Sequence, residues 1–150
     1  TGLYLKRWRR TFVGRLFLII NQSYFVIIDG SEAGGWQKNI EARFHTYGKV
    51  LKNKDWSTIT RGDESLTASF AAIGKSKLIY SYGTPENGGR ATNILRYIGK
   101  ASHIVTALNP GLNKIDLGLK NIKEGLEIKI SGNGIDNRTL KISKRLQILE

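Results

Sequence analysis

The chain has 150 residues, with 24 Lys and Arg against 12 Asp and Glu, a formal net charge of +12. It has no cysteine, which excludes a disulfide framework and any thiolate metal site, and no apolar run long enough to span a bilayer as a helix. A charge balance this basic reads either as an ordinary soluble basic surface or as a surface for polyanionic partners, namely nucleic acid, an acidic membrane face or an acidic polysaccharide.

The N-terminal run "KRWRR", residues 6–10, sets four cations around Trp8. On a strand, Lys6, Trp8 and Arg10 share one face and Arg7 and Arg9 the other. The run reads either as a polyanion-binding surface or as an edge strand guarded by charge. Residues 11–20 (TFVGRLFLII) and 24–28 (YFVII) are rich in β-branched and aromatic residues, with Asn21, Gln22 and Ser23 as a hairpin turn between them. Asp29, followed by Gly30, reads as a turn residue at the end of the second strand. A glycine-rich loop carrying Trp36 follows.

Residues 41–47 (EARFHTY) alternate, with Ala42, Phe44 and Thr46 on one face and Glu41, Arg43, His45 and Tyr47 on the other. Strands are predicted over 55–60 and 65–73, flanking a turn that contains an RGD triplet at 61–63. Another is predicted over 77–82, closed by a loop at 83–89. Further strands are predicted over 91–98 and 102–108, then a turn at Asn109-Pro110-Gly111, and weaker strands near 114–119, 126–130 and 137–148. No helical period is sustained. The predicted fold is all-β, a layered antiparallel β-sandwich of supersandwich type with little or no helix. Residues 1–150 form a single domain, with 110–150 as a candidate smaller trailing sheet. The lack of methionine, with Thr1 at the start, marks the chain as a piece of a longer or processed protein.

Few residues carry chemistry. His45, on the wet face beside Arg43, has a side chain whose ordinary pKa suits acid–base work. His103, inside a predicted strand, reads as structural. Two histidines so far apart, with Asp29 as the one appealing carboxylate, do not make a metal-ligand cluster. The Gly-Gly pairs at 34–35 and 88–89 do not open helices, so no phosphate cradle is predicted.

The order of three segments resembles the C-terminal β-sheet region of heparinase II/III-like polysaccharide lyases and their alginate-lyase relatives. These are "RWRRTFVGRLFLIINQSYFVIIDG", "EARFHTYGKV" and "SHIVTALNPG". The resemblance implies a parent enzyme in which an α/α toroid precedes the sheets and an acidic sugar chain lies between them. That parent would cleave uronic-acid polymers by β-elimination, in the periplasm or after secretion. The family's Tyr and His acid–base residues, and the His/Asp metal cluster of many members, fall in segments that would precede Thr1. No catalytic residue and no cofactor are therefore expected on this chain. Its expected part is scaffold plus one wall of the cleft, with Trp36, Arg43 and His45 as the residues that touch sugar. A non-catalytic β-sandwich binding acidic glycans and a nucleic-acid-binding β protein are the alternatives. Nucleic acid is the weaker of the two, because most aromatics fall with the apolar sets rather than interleaving with basic residues on one face.

Overall fold

A computed structural model describes residues 12–32, 39–84 and 88–150. The described residues are strands, turns and irregular segments without a helix. The strands are β1 (Phe12–Ile20), β2 (Tyr24–Glu32), β3 (Ile40–Thr46), β4 (Lys49–Lys52), β5 (Trp56–Arg61), β6 (Glu64–Ala72) and β7 (Ser76–Gly83), followed by β8 (Thr92–Gly99), β9 (His103–Pro110), β10 (Asp116–Ile122), β11 (Gly125–Ser131), β12 (Arg138–Ser143) and β13 (Ile148–Leu149).

They form three antiparallel sheets. A six-stranded sheet runs β1-β2-β9-β6-β5-β4, a three-stranded sheet β3-β8-β7 and a four-stranded sheet β10-β11-β12-β13. The six-stranded sheet is the middle layer. Val26, Ile28, Val105 and Ala107 on one of its faces pack with Ile115, Leu126, Ile128, Ile130 and Ile142 of the four-stranded side. Ala68, Phe70 and Ile104 on its other face pack with Ile40, Ala42, Leu78, Leu95 and Tyr97 of the three-stranded sheet. The expected layered all-β fold is what the chain adopts.

A middle layer covered on both faces must be apolar on both. The runs in β2 (YFVII) and β9 (IVTAL) meet that demand: Val26, Ile28, Ile104, Val105 and Ala107 are all fully buried. Outer-layer strands instead alternate, as β11 does with Ile128 and Ile130 buried and Lys129 exposed.

Turns close the hairpins where the sequence places them. Asn21 and Gln22 both take left-handed backbone conformations, and Ser23 N–H donates to Ile20 C=O at 2.9 Å. This turn is pinned to the far layer, with Asn21 bonded to Asp136, Arg138 Nη2 donating to Asn21 Oδ1 and Tyr24 Oη donating to Asp136 C=O. The RGD triplet is a turn: Arg61 pairs with Glu64, and Gly62 has φ +60°.

Several expectations are corrected. Asp29 is not a turn residue. β2 continues to Glu32, and Asp29 sits opposite Arg15 of β1, taking two hydrogen bonds from its guanidinium. The ion pair supplies the cross-strand partner that lets a carboxylate stay in a strand. β9 runs through Asn109 to Pro110, and Gly111, at φ +104°, makes the turn. The segment 137–148 is two strands separated by a turn at Lys144–Gln147. That turn is held by the Ser143 hydroxyl, which accepts from the backbone N–H groups of Arg145 and Gln147. β4 was not anticipated, because four residues with two lysines at a sheet edge leave too short a pattern to read. Trp8, the "KRWRR" run and Trp36 lie outside the described residues.

Candidate functional site

The outer face of the three-stranded sheet carries two of the three residues singled out from the sequence. Strand register places the side chains in rows. Glu41, Ile98 and Lys77 form one row, Arg43, Arg96 and Ile79 the next, and His45, Ile94 and Ser81 the third. Directly paired residues point to the same side of a sheet, so Arg43 and His45 share a face with Arg96 and Lys77.

The electrostatics follow from that register. Arg43 and Arg96 are directly opposite, an unfavourable pairing of like charges. Glu41, one row away, bridges them. It accepts from Arg43 Nε at 2.7 Å and from both Nε and Nη2 of Arg96 at 2.8 Å. The Arg96 fork and the second bond from Arg43 outweigh the cost of burial and hold the Glu41 carboxyl down to about 2 from its ordinary 4.5. The triad is thus fully ionised at neutral pH, and its two guanidinium groups outnumber its one carboxylate. Both arginines are anchored, which gives a cluster of fixed geometry rather than a pair of mobile side chains.

His45 is exposed, and its Nδ1 lies 3.0 Å from the Thr92 hydroxyl, which orients the ring from the neighbouring strand. At the same end of the sheet are aromatic rings the sequence reading missed. Tyr80 and Tyr82 belong to the edge strand β7, and Tyr82 is 69% exposed. The Tyr80 hydroxyl donates to Asn93 Oδ1 at 2.7 Å, and Asn93 Nδ2 donates to the Gly48 carbonyl at 2.7 Å. Tyr47, next to Gly48, is also exposed. Alternation along β7 assigns Tyr80 and Tyr82 to the inner face, and that is their side of the sheet. They are exposed because β7 is the last described strand of its sheet, whereas Leu95, directly opposite Tyr80 on β8, is fully buried. A single strand carries no record of where the next layer stops.

The chemistry available here is recognition. On the outer face, fixed cations suit a carboxylate or sulfate and an oriented imidazole suits a hydroxyl; the exposed tyrosine rings of β7, on the opposite face of the sheet, suit the apolar face of a sugar. Among the described residues no group of three or more His, Cys, Asp or Glu is placed to hold a metal. No described helix is long and apolar enough to cross a membrane.

His103, read as a mid-strand residue, is the first residue of β9, buried on the other side of the molecule from Arg43 and His45.

No family model matches the chain, and no curated protein matches its sequence. Among solved structures, 91% of the chain aligns at a TM-score of 0.67 and 15% identity with the crystal structure of a heparan sulfate lyase HepC mutant from Pedobacter heparinus. The chain spans 24% of that protein's length. The three-layered sheet thus has a heparinase-like polysaccharide lyase fold, over the part of that protein it matches.

Proposed function

We propose that the chain is the β-sheet region of a polysaccharide lyase that cleaves uronic-acid-containing polymers by β-elimination, supplying scaffold and one wall of the substrate cleft. The observation that carries this reading is the likeness of nearly the whole chain to a quarter of a heparan sulfate lyase. Its C-terminal place in the parent and its kinship with the alginate lyases belong to the same proposal.

β-Elimination requires that the uronate carboxylate be neutralised, so that the proton on the adjacent ring carbon becomes acidic enough to remove. A base then takes that proton and an acid protonates the departing glycosidic oxygen. On this chain Arg43, held in place through Glu41, would pair with a carboxylate of the polymer, His45 would hydrogen-bond a sugar hydroxyl, and Trp36 would stack on a pyranose face. The acid and base would come from the preceding part of the parent, an α/α toroid. The apolar stripe of Val13, Phe17 and Ile19, exposed on β1, supports a body of protein next to that strand in the parent. An extracellular polymer as substrate would place the parent in the periplasm or outside the cell.

The test uses the intact parent. Alanine at Arg43, His45 or Trp36 should weaken binding of heparan sulfate or alginate and slow release of the unsaturated uronate product. If all three variants bind and turn over as the wild type does, this wall role is wrong. A second reading, a non-catalytic domain that binds acidic glycans, is favoured by the exposed Tyr47 and Tyr82 rings. It predicts polymer binding by the parent with no unsaturated product under any condition.

A further inference from the structure

The register sets Gly14, Gly30 and His103 in one row across β1, β2 and β9, on the face of the middle sheet that the four-stranded sheet covers. Two facing glycines leave a dent in that face. Leu146, from the turn between β12 and β13, fills it: a Cβ at Gly30 would lie 2.9 Å from Leu146 Cδ2, and one at Gly14 would lie 3.2 Å from Leu146 Cδ1. Leu146 does this from a left-handed backbone, φ +61°, where a three-residue hairpin loop ordinarily has glycine. A leucine persists in that conformation because its surroundings hold it there.

The hydrogen bonds of the turn close it on itself. Ser143 N–H donates to Gln147 C=O at 2.7 Å, Leu146 N–H donates to Ser143 C=O at 3.0 Å, and the Ser143 hydroxyl accepts from the N–H groups of Arg145 and Gln147. Across to the β10–β11 hairpin, Lys144 N–H donates to Glu124 C=O at 3.1 Å. β13 has two residues and pairs with β12 alone among the described strands. Leu146, seated beside His103, joins the turn to the middle sheet. A segment held in this way opens locally at far less than the cost of global unfolding.

His103 is 7% exposed, and its Nδ1 lies 2.9 Å from the Ser102 hydroxyl. Its Nε2 is buried without a hydrogen-bond partner. The ring lies against the seated turn: a Cβ at Gly30 would come within 3.2 Å of both Leu146 Cγ and His103 Cδ2. Burial holds the imidazole pKa below its ordinary 6.5, against a pull from the Lys144 main chain toward the charged form. A pocket of about 440 Å³ beside the ring is lined by Ser31 of β2, by Asn121, Ile122 and Gly125 of the β10–β11 hairpin, and by Lys144. Among these only Lys144 carries a charge, and its sign is that of an imidazolium. A proton on the ring would thus meet no carboxylate there, and Nε2 would become a buried donor without an acceptor.

We propose that the β12–β13 turn is a pH-released latch, which stays seated while His103 is neutral and lifts when the imidazole takes up a proton. Lifting lets water reach both ring nitrogens, returns Leu146 to ordinary backbone and opens the pocket. Because seating lowers the His103 pKa, the seated turn is fully favoured above pH 6.5 and loses ground as pH falls below it. One proton sets the slope, so the ratio of lifted to seated turn should rise by up to about tenfold per pH unit in that range. The latch is separate from the Arg43 face and does not rest on the reading of that face.

Hydrogen exchange of the 150-residue chain, stepped from pH 7.5 to pH 5 and corrected for the intrinsic pH dependence of exchange, reads the opening of the turn. The Lys144 amide, bonded to Glu124, should lose protection by up to about tenfold per pH unit below 6.5, while the amide of the fully buried Ile128 keeps its own. His103→Gln, neutral at every pH, should keep the Lys144 amide protected throughout. Leu146→Ala, which empties the seat, should expose that amide already at pH 7.5. Equal protection of Lys144 at pH 7.5 and pH 5 would overturn the latch. So would a loss that persists in His103→Gln, or one shared by Ile128, which is global unfolding. Should His103→Gln not fold, NMR of the wild type decides. The His103 ring and Leu146 methyl signals must then titrate together with one midpoint below 6.5, and separate midpoints overturn the proposal.

Discussion

Arg43 and Arg96 stand directly opposite each other across β3 and β8, and the carboxylate of Glu41 holds both. With it they form a rigid cluster on the outer face of the three-stranded sheet.

Glu41→Gln should destabilise the chain at neutral pH by about 2 kcal/mol, a figure lowered for partial solvent screening. The sign follows from the depressed pKa. Because folding lowers the Glu41 pKa from 4.5 to about 2, its contribution is full above 4.5 and is lost as pH falls toward 2. Urea unfolding of wild type and variant at stepped pH should give midpoints that converge below pH 4.5. A difference that stays constant down to pH 2 would show that the carboxylate charge is not what stabilises the site.

Gly125→Ala should prevent normal folding of the four-stranded sheet. A Cβ at Gly125 would lie 2.1 Å from the Ile142 carbonyl oxygen and 2.7 Å from the Ser143 carbonyl carbon, both backbone atoms that cannot rotate away. Circular dichroism and thermal melting should show a loss of several degrees or more, well beyond an ordinary surface glycine such as Gly62, whose surroundings are open. A wild-type melt would contradict the close approach of β11 and β12.

Ile128→Ala should cost about 2–5 kcal/mol, because its side chain is fully buried between the middle and four-stranded layers. Denaturant titration measures it. A loss below about 1 kcal/mol would mean that the layers do not pack as described.

Tyr82→Ala should leave thermal stability within about 0.5 kcal/mol of wild type, since the ring is mostly exposed. It should also weaken binding of acidic polysaccharide several-fold. Tyr80→Phe removes the hydroxyl that donates to Asn93 and should cost about 1 kcal/mol of stability while leaving the ring in place. Calorimetry for stability, and retention on heparan sulfate at several salt concentrations for binding, separate the two effects. Binding that falls with salt identically in all variants would show charge alone at work.

Phe17→Lys should raise the solubility of the chain. Phe17 and Ile19 are exposed on the same face of β1, and β1 is an edge of the middle sheet among the described strands. An exposed apolar edge favours association, and a lysine there opposes it. Sedimentation over a concentration series gives the answer, with no change expected if the stripe is inert.

The strand pattern was readable in the sequence because apolar alternation and turn residues are local signals. Phe44 and Arg43 announce opposite faces by their chemistry, and Asn21-Gln22-Ser23 announces a reversal. Arg43 and His45 could be placed on one wet face for the same reason. Asp29 was misread because Asp-Gly is a local turn signal, overridden here by Arg15 on the partner strand. The grip of Glu41 on Arg96, 55 residues away, had no local signature.

The sequence by itself determined that this protein is a stack of antiparallel strands with a basic exterior, since period-two patterning, turn chemistry and charge all act over a few residues. Only the tertiary structure decided that β2 and β9 lie in a middle layer, that Glu41 bridges two opposed arginines, and that His103 is buried at the start of β9. Those outcomes depend on which distant strands meet and in what register, and burial by another layer is a property no single strand encodes.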